Sequence, residues 1–97
     1  MSIQLTVFNI TLAAGEIRFL DQIGVARQVL IPNTIMSQNP LIQFGPDGNP
    51  FRAASLQSVI IRPGGEFDEF RIGGLGIGAS GTLVFSPCDE FIVRRSG

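Results

Sequence analysis

Apolar and polar residues alternate with a period of two along most of this chain, and turn residues interrupt the alternation about every ten positions. A period of two places successive side chains on opposite faces of an extended strand. No stretch of ten residues shows the 3.6-residue spacing of an amphipathic helix. Ile3, Leu5 and Val7 alternate with Gln4 and Thr6, and then Phe8, Ile10 and Leu12 carry the pattern on the other parity. That slip predicts a β-bulge or a strand that changes sheets. Further strands are predicted over 16–20, 26–31, 41–44, 51–53, 56–62, 67–72, 82–85 and 90–94. Asp47-Gly48, flanked by Pro46 and Pro50, predicts a tight hairpin turn, and Pro63-Gly64-Gly65 a second stop. Residues 73–81 read as a glycine-rich loop. The expected fold is all-β: a single domain over 1–97, a β-sandwich or jelly-roll-like barrel of about eight short antiparallel strands.

Residue chemistry excludes much. The chain has no His, Trp, Tyr or Lys and one Cys, Cys88. A Ser-His-Asp or Cys-His site needs an imidazole, zinc sites lean on His and Cys, and Schiff-base chemistry needs Lys. A disulfide framework cannot come from one cysteine. Seven cations against eight anions give a net charge of −1, which removes the electrostatic case for nucleic acid. The longest apolar runs, such as Val59-Ile60-Ile61 and Leu83-Val84-Phe85, fall far short of the ~20 residues of a membrane helix. The first residues lack the basic and apolar regions of a secretory signal, so cytoplasmic synthesis with a reduced Cys88 is expected. No catalytic residue, cofactor or metal is expected, and the chain reads as a non-enzyme.

Three local patterns have chemical readings, and each has a simpler one. Gly76-Ile77-Gly78-Ala79-Ser80-Gly81 matches the dinucleotide fingerprint by letter, but Thr82-Leu83-Val84-Phe85 predicts a strand where the chemistry needs a helix. Glu66, Asp68 and Glu69 form the densest acidic group, and a solvated strand face explains them. The eight Phe residues, without Trp or Tyr, read as core rather than as a sugar- or base-stacking platform.

Charged residues make up 15% of the chain, against ~25% in a typical soluble domain. Mean hydropathy is positive. A domain this small buries only about two-thirds of its chain surface, so apolar surface is left over with few charges to break it up. Such patches mark interaction sites. The first strand and the segment 91–94 lack Pro and Lys and are candidate sheet edges. The candidate subunit interface is therefore Ile3, Leu5, Val7, Phe91, Val93, Arg94 and Arg95.

The order of features resembles the small β-sandwich virion proteins of tailed bacteriophages, the head decoration and accessory proteins. The resemblance is carried by Leu12-Ala13-Ala14-Gly15, the 26–33 strand ending in Pro32-Asn33, Ile42-Gln43-Phe44-Gly45, Pro63-Gly64-Gly65-Glu66-Phe67, Gly81-Thr82-Leu83-Val84-Phe85 and Glu90-Phe91-Ile92-Val93. It implies a structural, non-enzymatic role on the virion surface, after assembly in the host cytoplasm. Its partners would be copies of itself, with a trimer as the working expectation, and a major capsid or other virion protein, with no nucleic acid and no membrane. The alternative is a glycan- or receptor-binding β module on a fibre or spike, using exposed Phe or loop residues such as Asp47 and Asn49.

Overall fold

Among the described residues, eight strands and one helical turn follow in chain order: β1 (Thr6–Leu12), β2 (Ile17–Leu20), β3 (Gln28–Ile31), α1 (Asn33–Met36), β4 (Leu41–Phe44), β5 (Phe51–Arg52), β6 (Val59–Ile61), β7 (Phe70–Gly73) and β8 (Ala79–Ser86). They come from a computed structural model, which describes residues 5–88. Two four-stranded sheets form, in the orders β1-β8-β3-β6 and β2-β7-β4-β5. Every pairing is antiparallel. The pairs β1·β8, β2·β7, β3·β6 and β4·β5 nest like one long hairpin, and β3·β8 and β4·β7 close each sheet. This is the jelly-roll topology, an all-β sandwich of eight strands.

The inner faces meet in one apolar core. Ile10 and Leu12 on β1, Val29 and Ile31 on β3, Ile42 on β4, Phe70 and Ile72 on β7, and Leu83 and Phe85 on β8 are all buried. Phe44, Phe67, Phe70 and Phe85 pack edge-on or tilted, with centroids 4.8 Å apart for Phe44–Phe67, 5.2 Å for Phe44–Phe70 and 5.3 Å for Phe70–Phe85. Such offset and edge-on geometries suit the ring quadrupoles. Ala26 and Phe67 exchange two backbone hydrogen bonds of 2.8 Å and stitch the approach to β3 onto the approach to β7.

Several expectations need correction. The Val7–Phe8 slip is no bulge: β1 pairs with β8 without interruption from Thr6↔Phe85 to Leu12↔Ala79. Phe8, Ile10 and Leu12 face inward, whereas Leu5 and Val7 stand on the outside, so the two apolar parities serve two faces. Asp47-Gly48 is no two-residue turn. Neither residue has a positive φ, and the chain instead crosses 45–50 with Gly45 at φ 73°. Gly48 is needed for space, since a Cβ there would collide with the Phe44 carbonyl oxygen. On β2 the apolar pair Ile17 and Phe19 is exposed, while Arg18 takes the register position opposite buried Ile72. The strand lies at a sheet edge, and the long Arg18 side chain leaves the core there to reach polar partners. Phe19 lies under the Arg71 guanidinium at 4.9 Å and Phe51 is exposed, so these two are not core.

The helical turn α1 escapes sequence reading because four residues are too few to show a period. Pro32 sits at its N-cap, its carbonyl accepting from Ile35 and Met36 N–H, and Ile35 and Met36 are buried. The Thr34 hydroxyl donates to the Ser80 carbonyl at 2.8 Å, tying the turn to β8.

Candidate functional site

The outer face of the β1-β8-β3-β6 sheet carries the least ordinary surface. An antiparallel sheet with one wet face should alternate apolar and polar residues cleanly. Three of its strands do not: Val29-Leu30-Ile31, Val59-Ile60-Ile61 and Leu83-Val84-Phe85 are unbroken apolar triplets. The flanking residues of the β3 and β8 triplets are buried, and those of β6 pack against the core in half-buried positions. The middle residues therefore point outward.

The strand register places these middle residues in one line. Val7 pairs with Val84, Val84 with Leu30, and Leu30 with Ile60. An apolar row thus crosses all four strands at right angles to them. Its ends are open, with Val7 at 56% and Ile60 at 46% of full exposure, and its centre is half-buried by neighbours. Leu5, at 42%, extends the row along the β1 side. On the Asn9 side the next rows are polar, and their side chains pair with one another. The Thr82 hydroxyl donates to Asn9 Oδ1 at 2.7 Å, and the Thr11 and Ser80 hydroxyls lie 3.1 Å apart. No residue of the row is charged or hydrogen-bonding, so its chemistry is burial against another apolar surface.

Among the described residues β1 is an edge of this sheet. One end of that edge is plugged. Arg18 Nη2 donates to the Thr11 carbonyl at 2.8 Å and contacts Glu16 Oε2 at 2.7 Å. Glu16 Oε1 also accepts from the Ala13 N–H at 2.9 Å. That backbone hydrogen bond, and then the Arg18 hydrogen bond, hold the Glu16 carboxyl below the usual glutamate range.

Of the interface residues expected from sequence, Leu5 and Val7 lie on this face. Ile3, Phe91, Val93, Arg94 and Arg95 lie outside the described residues, as does the strand expected at 90–94. Sequence reading missed Leu30, Ile60 and Val84. Their signal was available, because a triplet leaves one apolar residue too many for a strand wetted on one side.

The other patterns fall in separate places. Glu66 lies 3.5 Å from Arg27, and Asp68 is exposed. Gly76 and Gly78 sit in a loop, and Ala79 to Gly81 already belong to strand β8, so a strand follows the fingerprint as expected. Two of the hollows on the described surface bear on these patterns. One, of about 350 Å³ on the outer face of the second sheet, lies between Ile17, Leu41, Gln43, Pro50 and Arg71. The other, of about 410 Å³, brings Asn49 and Phe51 together with Phe44, Ile61 and Arg62, and does not include Asp47. No protein-family description, curated protein or solved structure matches the chain.

Proposed function

We propose that this protein is a non-enzymatic structural component that works by packing the outer face of its β1-β8-β3-β6 sheet against other protein subunits, and that the assembly it serves is a bacteriophage particle. The apolar row Val7–Val84–Leu30–Ile60 carries the first half of this reading. A row spanning a whole sheet without a charge is costly to leave in water and favourable to cover. The virion half is supported by the resemblance in strand and turn order to small phage virion proteins, and jelly rolls are common in viral shells. The low net charge of −1 lets many copies sit side by side with little repulsion.

The test is association. The chain is expected to sediment as an oligomer in the micromolar range, or to co-sediment with purified particles of the phage that encodes it. Ile60→Lys combined with Val84→Lys should abolish that association while the thermal transition remains cooperative. A chain that stays monomeric and is missing from the particles overturns the reading.

A second reading, a glycan- or receptor-binding module, draws on the hollow that joins Asn49, Phe51 and Arg62. A ring face beside an amide and a guanidinium suits a sugar or an acidic sugar. A glycan array with a hit that Phe51→Ala removes would favour it over assembly through the sheet face.

A further inference from the structure

We infer that the first partner of this sheet is a second copy of the chain, joined edge to edge through antiparallel pairing of β1 with the partner's β1 about a two-fold axis at Val7. The inference rests on the assembly reading above and names the partner at the same face.

In an antiparallel strand, alternate residues turn both N–H and C=O toward the same neighbour. The Thr11 carbonyl accepts from Arg18, which reaches it from the edge strand β2 of the other sheet. Thr11 therefore faces the edge, and so by alternation do Asn9, Val7 and Leu5. Side-chain contacts agree. Asn9 touches Thr82 and Thr11 touches Ser80, the closer approach found where two residues do not exchange backbone bonds across the ladder. Val7 and Asn9 thus present backbone groups on the side away from β8, and no described residue takes them up. An edge left this way is a template for another strand.

Arg18 then chooses the register. It occupies the Thr11 carbonyl and closes the Leu12 end, and among the described residues the half from Leu5 to Asn9 stays open. An axis at Asn9 would set the partner's Thr11 against Val7 and force both Arg18 plugs out. An axis at Val7 pairs Val7 with the partner's Val7, and Leu5 with the partner's Asn9, and uses only the open half. Each such pair exchanges two backbone hydrogen bonds, because all three residues face the edge.

The same axis joins the apolar rows. Ile60, Leu30, Val84 and Val7 run straight on into the partner's Val7, the partner's Val84, the partner's Leu30 and the partner's Ile60. No charge interrupts the join. The dimer doubles the length of the uncharged row, which is the surface that the assembly reading covers. This symmetry is two-fold rather than the trimer expected from sequence.

Oxidative cross-linking in a Cys88→Ser background tests it, using the full chain in the micromolar range. Val7→Cys is expected to form a disulfide-linked dimer, since paired residues bring Cα atoms to about 5.5 Å, within disulfide reach. Asn9→Cys is expected to stay monomeric, because this register holds the two Asn9 positions about four residues apart along the strands, roughly 13 Å. Both side chains are exposed and a thermal melt verifies folding. Val7→Pro removes the edge-facing N–H and should weaken the dimer about tenfold or more. Linking through Asn9→Cys instead of Val7→Cys, or through neither, overturns the inference. If the chain still assembles in that case, the assembly reading stands without it. A strictly monomeric chain missing from particles removes both.

Discussion

At the residue scale, the fold depends on a few side chains, and on a few missing ones. Phe70 and Phe85 are fully buried and contact each other within an aromatic cluster that draws from both sheets. Phe70→Ala should lower the unfolding free energy by ~3–5 kcal/mol in urea titration, with little change in the slope. Gly73 sits where a Cβ would strike the Glu16 carbonyl oxygen. Gly73→Ala should therefore cost about 2 kcal/mol or more, although the residue lies in a strand where alanine is ordinarily tolerated. Glu16 has a pH signature. Its carboxyl is held low in the folded state, first by the Ala13 N–H and then by Arg18. Its contribution is thus complete above the ordinary glutamate range and is lost as pH falls through the lowered folded value. Melting curves of the wild type and Glu16→Gln should differ at neutral pH and converge in acid. The core phenylalanines were legible in the sequence as a class. Phe19 and Phe51 were not, because an aromatic residue on an edge strand has the same local pattern whichever face it uses.

At the element scale, the strands divide into those with one apolar face and those with two. The triplets of β3, β6 and β8 supply both a core face and the outer row, and β1 does the same by shifting parity at Val7–Phe8. The two faces are expected to respond differently to substitution. Val84→Thr and Ile60→Thr keep a β-branched side chain on the surface, so each should cost less than ~1 kcal/mol in denaturant unfolding. Both should nevertheless reduce self-association measured by sedimentation. Leu83→Ala, one position away on the inner face, should cost ~2–5 kcal/mol. Among the described residues, strand positions were readable from alternation to within a few residues. The reading of a bulge failed because period alone cannot distinguish a slipped strand from a straight one that is apolar on both sides.

At the scale of the whole molecule, the nested pairing makes folding a long-range problem. The Asn9–Thr82 contact on the first sheet closes a separation of 73 residues. Chains dominated by such pairings fold in milliseconds to seconds, since loop closure precedes most of the stabilising contacts. Stopped-flow refolding is expected in that slow range, and a microsecond phase carrying the full amplitude would contradict the topology. The all-β class, the sites of most turns, the lack of imidazole and amine side chains, and a surplus of apolar residues over charge were all legible in the order of residues. All of these follow from residue type and local spacing. Tertiary register put part of that surplus into one row, while other exposed apolar residues, such as Leu56 and Ile77, stand in loops away from it. Val7, Leu30, Ile60 and Val84 are scattered along the chain, and register between strands distant in sequence, which no local pattern encodes, sets them side by side.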